Sequence, residues 1–301
     1  MTEGSLDLAY LRANPQVAST MVRHQRIRAT PVPGGDSCVS ELFTLDSGES
    51  LFAKSRPGVS PGFFAAEAEG LAWIAEAGVI PTPEVIAVND ELLLLEWVPS
   101  GDPSAAAAEQ FGADLAGLHR TAAARFGASW PGFIGTLPME NLNGTETDAT
   151  SGLDWPEFFA AHRIEPYLRV ASEGGAISAE DATSVSAVLG RLDSLDVPEE
   201  PPARLHGDLW SGNLHWSAAG PVYLIDPAAH GGHRESDLAM LALFGAPFLD
   251  RILAAYEEVS PLGSGWRDRV GVHQLFPVLV HAVMFGGSYG RQAGALARRY
   301  L

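Results

Sequence analysis

The spacing of hydrophobic residues changes about one third of the way along the chain. In the first part, short apolar runs bounded by turn residues predict strands, which we place at residues 41–45, 50–54, 85–88 and 92–95. A helix is expected before them, over about residues 6–28. Together these runs predict a small antiparallel sheet of about five strands.

A helix is predicted to interrupt the strands at residues 63–77. Its apolar positions lie on one helical face: Phe64, Leu71 and Ile74. Glu67 lies one turn before Leu71 on the same side, whereas Glu69, the competing acidic residue, points elsewhere. The pattern therefore predicts a helix that turns one glutamate inward.

Residues 99–103, with the sequence PSGDP, are the clearest linker in the chain. After them the apolar spacing becomes helical, and we predict helices at residues 105–125, 154–168, 180–195, 266–301 and from 237 onward. The pattern therefore predicts an α+β protein with an N-terminal lobe (residues 1–98), a linker, and a mainly helical C-terminal lobe (residues 104–301).

The overall charge limits the partners that this chain can bind. It has 301 residues, of which 19 are basic and 37 acidic, and a formal net charge of −18. Such a surface repels nucleic acid and anionic lipid, so we expect neither as a partner. The first residues lack a signal-peptide pattern, no apolar run is long enough to span a membrane, and Cys38 is the only cysteine. We therefore expect a cytoplasmic protein without internal disulfide bonds.

The strongest chemical signal lies at residues 205–213, whose sequence is LHGDLWSGN. His206, Asp208 and Asn213 have the spacing of the kinase catalytic loop. In that loop the aspartate accepts the proton of the substrate hydroxyl group, and the asparagine binds a Mg²⁺ ion. The next predicted strand ends at Asp226, which would add a third metal- or proton-handling group. The loop alone would fit an ordinary polar turn, but Asp226 at this spacing favours the kinase interpretation.

Lys54 supports the same chemistry. It is the only lysine among the 19 basic residues, and it comes at the end of a predicted strand. Kinases place a compact ammonium group there, between the α- and β-phosphates of ATP, where a planar guanidinium would not fit. Gly34 and Gly35 form a turn between the first two strands, where kinases place backbone N–H groups over phosphates. A single lysine could also occur at this position by chance.

His230 and His233 lie close together in the sequence and raise the question of a metal site. No third ligand is apparent, so a polar loop near the active site is the better interpretation. Residues 237–241 then begin a helix with an acidic residue near its N-terminus, which the helix dipole favours.

The sequence resembles the fructosamine kinase family, also called ketosamine 3-kinases, over about residues 20–290. The LHGDLWSGN loop is the form typical of that family, while related sugar and aminoglycoside kinases share its HGD and Asn positions. Further matching segments are FFAAEAEGL (63–71), FIGTLP (133–138), DWPEFF (154–159), IDPA (225–228), HRESDLAM (233–240) and FGGSY (285–289). The resemblance implies the bilobal protein-kinase-like fold of aminoglycoside phosphotransferases and choline kinases.

The resemblance also implies an ATP site and a catalytic residue. The expected ATP-contacting residues form a phosphate loop, an ion pair, a hinge and a metal site: Gly34, Gly35, Asp36, Ser37, Cys38, Lys54, Glu67, Glu96, Trp97, Val98, Asn213 and Asp226. Asn213 and Asp226 would hold Mg²⁺, and Asp208 would be the base that orients the sugar hydroxyl group. His206, Asp208 and Trp210 would contact the sugar, unless Trp210 is instead a core residue that steadies the loop.

The implied reaction is transfer of the γ-phosphoryl group of ATP to the 3-hydroxyl group of a ketosamine, which would reverse early glycation. The substrate would be a small ketosamine or a glycated amine or protein, and the protein a monomer or weak homodimer that Cys38 could link. Met139 and Val280 stand where the family pattern leads us to expect Gln and Asn, which leaves the sugar open. Two alternatives remain: a phosphotransferase for an aminoglycoside or choline, and a catalytically silent kinase-like binding protein.

Overall fold

The N-terminal part of the chain forms one antiparallel sheet. The computed structural model describes residues 8–18, 20, 28–32, 38–45, 47–142 and 153–301. Five strands lie in the order β1-β2-β3-β5-β4. They are β1 (Arg28–Pro31), β2 (Val39–Thr44), β3 (Ser50–Ser55), β4 (Val85–Val88) and β5 (Leu92–Glu96). The predicted sheet is therefore confirmed.

The two faces of this sheet are covered by different elements. Leu94 belongs to a buried cluster that includes α1 (Leu8–Ala13), whereas its neighbour Leu93 belongs to a cluster that includes α2 (Phe63–Ala75). Successive side chains of a strand point to opposite faces, so β5 contributes to both clusters. Lys54 of β3 is consequently buried, although lysine is rarely buried without a partner.

The α2 helix has the predicted inward face. Its predicted inward side chains are all buried: Phe64, Glu67, Leu71 and Ile74. Glu69 is exposed, as expected. The helix ends at Ala75, before the predicted residue 77, because the N–H groups of Ala77 and Gly78 bond to carbonyls only three residues back.

Helices dominate the chain after the linker. They are α3 (Ala105–Arg120), α4 (Trp155–Phe158), α5 (Glu165–Glu173), α6 (Ala179–Leu189), α7 (Glu235–Phe244), α8 (Leu249–Val259), α9 (Trp266–Phe285) and α10 (Tyr289–Ala297). A π-helical segment, Phe159–Ile164, joins α4 to α5. Side chains cap three of these helices: Ser104 accepts an N–H of α3, Asp154 one of α4, and Ser178 one of α6. The α+β class is therefore confirmed.

Three small two-stranded sheets lie between these helices. They pair β6 (Gly132–Ile134) with β7 (Leu137–Met139), β8 (Ala203–Leu205) with β11 (His230–Gly232), and β9 (Leu214–Trp216) with β10 (Val222–Leu224). The last two pairs support both ends of the segment at residues 205–213. The β9–β10 pair is the hairpin predicted to lead to Asp226.

The predicted C-terminal end of the first helix is wrong. The α1 helix ends at Ala13, and Pro15 opens a separate 3₁₀ turn, since proline cannot donate the hydrogen bond that continues a helix. Arg28, the predicted last helical residue, begins β1 instead. Residues 21–27 lie outside the described residues.

Three other helices differ from the predicted lengths. The helix predicted at 105–125 ends at Arg120, because Thr121 is extended and residue 122 pairs with residue 203. The helix predicted at 180–195 ends at Leu189. The predicted tail helix is two helices, which Gly286 separates with a φ of 63°. None of the helices that the structure describes is both long and apolar enough to cross a bilayer.

The predicted linker is an ordered segment. Ser100 pairs with Ser217, and the N–H of Gly101 donates to the carbonyl of Trp216 at 2.7 Å. Residues 99–103 therefore contact β9 and the turn after it. The lobe boundaries at residues 98 and 104 stay a prediction.

Candidate active site

Lys54 contacts two carboxylates at the centre of the molecule. Its Nζ atom lies 2.8 and 2.7 Å from the two carboxylate oxygens of Glu67 and 2.9 Å from Oδ1 of Asp226. Burial alone would lower the pKa of Lys54, but the charges of Asp226 and Glu67 outweigh it and raise that pKa. The structure thus brings together three of the predicted ATP-site residues, one from the sheet, one from α2 and one from beyond the linker.

Asp208 and Asn213 lie in the segment between β8 and β9. The amide Nδ2 of Asn213 donates to the backbone carbonyl of Asp208 at 2.8 Å and to its carboxylate at 3.1 Å. Loss of solvation raises the pKa of Asp208 to about 7, and the nearby charge of Asp226 acts in the same direction. Asp208 is therefore held by a neutral donor and can take up a proton near neutral pH.

Asp226 follows β10 and has an unusual backbone conformation. Its φ of 54° is left-handed, which is uncommon for a residue other than glycine. The carbonyl of Asp226 lies 3.4 Å from Nδ2 of Asn213, and Ile225 donates to the carbonyl of Asn213 at 3.2 Å. These contacts hold the Asp226 carboxylate beside Lys54 and near Asp208. Strained backbone of this kind is concentrated at functional sites.

A buried aspartate of α7, Asp237, holds residues 205–213 in place, which we call the proposed catalytic segment. Its carboxylate accepts the backbone N–H of His206 at 2.8 Å and that of Gly207 at 2.9 Å. Nε2 of His119 donates to the same carboxylate at 3.2 Å, and Nδ1 of His119 lies 2.9 Å from the hydroxyl of Tyr256. Sequence reasoning assigned Asp237 no such role, although HRESDLAM was among the matching segments.

His206 is fully buried, and its predicted contact with the sugar stays a prediction. One ring nitrogen bonds within the loop, and the other bonds the segment that follows β10. Nε2 donates to the carbonyl of Ile225 at 2.8 Å, and Nδ1 accepts the N–H of Asp208 at 3.2 Å. His206 therefore positions the loop that carries Asp208.

Trp210, in contrast, is exposed beside Asp208. Its side chain is 39% exposed, and its indole N–H acts as a donor that lowers the pKa of Asp208. The ring lies against Gly212, where any larger residue would collide with it. Trp210 is thus a surface residue of the site rather than a core tryptophan.

The predicted hinge residues lie at the end of β5, with Glu96 as its last residue and Trp97 and Val98 directly after it. The ring of Trp97 lies 6.4 Å from that of Phe52, and the carbonyl of Val98 accepts Nε2 of His215 at 2.9 Å. The N–H of Glu96 donates to the carbonyl of Glu84 at 2.8 Å. Two backbone groups of this segment are therefore already engaged, and adenine binding by Glu96, Trp97 and Val98 stays a prediction.

The predicted phosphate loop is only partly described. Gly34, Gly35, Asp36 and Ser37 lie outside the described residues. Cys38 is half-buried and packs against the cluster that contains Phe63 and Leu93. Its predicted position in the phosphate loop and its role in linking subunits remain predictions.

His230 and His233 are buried, so they do not lie in the predicted polar loop. His230 and His233 are 4% and 1% exposed. His233 does not pair with His230, and instead lies near Glu235 and His273 with ligand atoms within 4.8 Å of one another. Arg269 binds both Glu235 oxygens, at 2.6 and 3.1 Å, and both nitrogens of His233 have backbone partners. Glu235 and His233 are thus already engaged in a buried network, whereas Nε2 of His273 has no hydrogen-bond partner among the described residues and lies 3.5 Å from Glu235.

His230 is neutral and forms part of a second buried network. Its Nδ1 donates to the carbonyl of Ala228 at 2.9 Å, and its Nε2 faces Nε of Arg163 at 3.4 Å. Burial and the charge of Arg163 lower the pKa of His230 to about 3. Burial likewise lowers the pKa of His233 to about 3. Both imidazoles therefore stay uncharged in the folded protein.

Comparisons with known sequences agree on one family. The profile of the fructosamine kinase family matches residues 13–301. A protein of Enterococcus faecium named probable ketoamine kinase is 33% identical over 277 residues, which cover 91% of this chain and 95% of that protein.

Solved structures give the same result for the fold. The crystal structure of a candidate fructosamine-3-kinase from Thermobifida fusca has a TM-score of 0.84 and 43% identity, covering 94% of this chain and 98% of that one. A choline kinase from Streptococcus pneumoniae has a TM-score of 0.56 at 13% identity, covering 96% of this chain and 98% of that one. At such low identity the second likeness shows the fold alone. The predicted kinase-like fold is confirmed.

Proposed function

The chain belongs to the fructosamine kinase family and is an ATP-dependent phosphotransferase of the sugar-amine type, and we propose that it phosphorylates the 3-hydroxyl group of a ketosamine. The main support is the meeting of Lys54, Asp208, Asn213 and Asp226 at one place, from three separate segments of the chain. Kinases use a lysine, a base and two metal ligands in this combination.

The nucleotide end of the site is assigned to the Lys54 cluster. Glu67 holds the ammonium group of Lys54 in place, from where it can contact ATP phosphates. Phosphate oxygens would then replace Asp226 as partners of Lys54. We assign the adenine to the segment of Glu96, Trp97 and Val98, and the remaining phosphate contacts to the segment at residues 34–38.

The donor set of Asn213 and Asp226 fits Mg²⁺, which prefers oxygen ligands. Nδ2 of Asn213 is used toward Asp208, which leaves its Oδ1 atom for a cation. Asp226 can supply a carboxylate oxygen on the same side. A bound Mg²⁺ would neutralise the negative charge of the phosphates.

Asp208 is assigned to the acceptor hydroxyl group. Asn213 and Trp210 orient its carboxylate, which accepts the proton of the 3-hydroxyl as that oxygen attacks the γ-phosphorus. The new O–P bond forms as the bond to the β-phosphate oxygen breaks, and ADP leaves. Phosphate at C3 is adjacent to the C2 carbonyl, so enolisation toward C1 can expel it and lead to release of the amine. This is the chemical basis for a deglycation role.

ADP release tests the proposal. The protein is given Mg²⁺, ATP and fructose- or ribulose-derived ketosamines, with choline and kanamycin as competing acceptors, and the product is located by ³¹P NMR. We expect turnover on ketosamines, a phosphate at C3, and at least about a 100-fold loss of kcat in Asp208→Asn.

Other outcomes separate the alternatives. Turnover on choline or kanamycin alone would reject ketosamines as the substrate while keeping the kinase activity. Phosphate at another hydroxyl group of the ketosamine would reject only the position.

A further inference from the structure

A row of aromatic rings extends from the proposed catalytic segment across the surface of the C-terminal part. It consists of Trp210, Phe244, His281, Phe285 and Tyr289, which we call the aromatic wall. Ring centroids lie 6.2 Å apart for Trp210 and Phe244, and 5.0 Å apart for Phe244 and His281. Phe285 and Tyr289 lie 5.4 and 5.1 Å from His281. The wall is thus continuous and begins beside the assigned base.

The wall is unusually exposed for aromatic side chains. Within the described residues, four Phe and Trp side chains are exposed, and three of them belong to the wall. Phe244 is 38% exposed and Phe285 is 55% exposed. Exposed apolar surface that is grouped in this way marks a binding site more often than isolated exposed residues do. An occupant is therefore expected.

The aromatic faces of the wall and the net charge of the whole chain both favour a cation. Aromatic faces carry negative electrostatic potential and attract ammonium groups. His281 does not oppose this: its Nδ1 donates to the carbonyl of Pro277 at 2.7 Å, and burial lowers its pKa, so the ring stays neutral. The whole chain has a net charge of −18, which also favours cationic ligands.

A ketosamine places its protonated amine close to Asp208, the proposed base. Its amine nitrogen is separated from the 3-hydroxyl oxygen by four single bonds, so the two atoms can be at most about 5 Å apart. When the hydroxyl group lies at Asp208, the amine therefore lies within reach of Trp210, which contacts Asp208 and whose ring packs against that of Phe244. A secondary amine of this kind is protonated at neutral pH.

We propose that the aromatic wall binds the protonated amine of the ketosamine, so that the enzyme selects cationic ketosamines over neutral sugars of the same shape. This inference rests on the proposed function. It differs from simple stacking of a sugar ring on Trp210, which would not distinguish charged from neutral acceptors.

The test uses two acceptors that differ at one atom. One is 1-deoxy-1-(propylamino)fructose, and the other is its ether counterpart, 1-O-propylfructose. Both carry the 3-hydroxyl group, and only the first carries a positive charge. For the wild-type protein we expect kcat/KM to be about tenfold higher for the amine.

Phe244→Leu removes a ring face of the wall and keeps an apolar side chain. We expect KM for the amine to rise about three- to thirtyfold, with kcat nearly unchanged and KM for the ether changed less than about twofold. Phe285→Leu should show a smaller change in the same direction. Tyr10→Leu is the matched control, because Tyr10 is 41% exposed but lies on α1 of the N-terminal part, and it should change neither KM.

The outcomes separate this inference from the proposed function. Equal kcat/KM for amine and ether in the wild type, or equal KM changes for both acceptors in Phe244→Leu, would overturn the role of the wall and leave the ketosamine kinase activity intact. Absence of turnover on both acceptors, with turnover on choline or kanamycin, would overturn the proposed function and this inference with it.

Discussion

The Lys54 cluster and the Asp208 segment are neighbours, yet the protein stabilises them in different ways. Lys54 is held by salt bridges to the carboxylates of Glu67 and Asp226. The Asp208 segment is held by backbone hydrogen bonds to Asp237, which is itself 1% exposed. Phosphate oxygens can compete for an ammonium group, but a small substrate has no access to the backbone N–H groups of His206 and Gly207.

This difference assigns separate tasks to the two regions. In the proposed function, the Lys54 cluster exchanges partners when a nucleotide binds, and an ion pair that can be replaced suits that role. The segment of Asp208 would keep the proposed base in one position, and satisfied backbone groups suit that role, since preorganised groups need no rearrangement during the reaction. We therefore expect substitutions in the first region to affect activity and those in the second to affect stability as well.

The largest expected effect is on activity, in the double variant Lys54→Met/Glu67→Leu. We expect kcat to fall by about 1,000-fold or more, because the variant lacks the charge that would contact the phosphates. The free energy of unfolding should stay the same or rise by about 1–4 kcal/mol, since apolar replacement of a buried ion pair is often neutral or stabilising. Steady-state kinetics and urea denaturation measure the two quantities.

Glu69→Gln is the matched control for this variant. Glu69 lies on the exposed side of α2 and should leave both kcat and stability unchanged. A large loss of stability in the double variant would contradict the proposed division between the two regions.

Asp237→Asn should give the next largest effect, on stability. It places an amide group against the two backbone N–H groups and His119, so we expect a loss of about 3 kcal/mol in the free energy of unfolding. The KM for ATP should change little, because the Lys54 cluster has its own partners. Asp250→Asn, on the exposed side of α8, should have no measurable effect on either quantity.

Unchanged stability in Asp237→Asn would show that the backbone of the proposed catalytic segment is held by other contacts. A large rise in the KM for ATP would show that the two regions are coupled. Either result would contradict the claim that the two regions are stabilised in different ways.

The smallest expected effect is a pH dependence from His230. Its pKa is about 3 in the folded protein and near 6.5 when unfolded, so between these values the unfolded chain binds a proton that the folded chain does not. The stability contributed by His230 therefore decreases as the pH is lowered, by about 1.4 kcal/mol for each pH unit below 6.5. Asp208, whose pKa is raised to about 7, changes stability in the opposite direction over part of this range.

The difference in the free energy of unfolding between the wild type and His230→Gln isolates the contribution of the histidine. We expect His230→Gln to gain stability relative to the wild type by about 1.4 kcal/mol for each pH unit from 6.5 down to 4.5. Chemical denaturation at several pH values measures this difference. A difference that does not change with pH would mean that His230 is protonated in the folded protein.

Much of the site could be predicted from local sequence because its spacing lies within short segments. The separation of Asp208 from Asn213 reflects one loop, and the inward position of Glu67 follows from the helical period of α2. The burial of His206 could not be predicted in this way. Its environment depends on Ile225, which the β9–β10 hairpin brings back to it.

Local sequence was enough to place four of the five strands of the sheet, the inward face of α2, and the residue types available for phosphoryl transfer. Which of these residues meet depends on the tertiary structure. Lys54 reaches Asp226 across 172 positions, and Phe244 reaches His281 because α7 packs on α9. Local propensity depends on near neighbours in the chain, whereas burial, pKa and the aromatic wall depend on packing between elements that are distant in sequence.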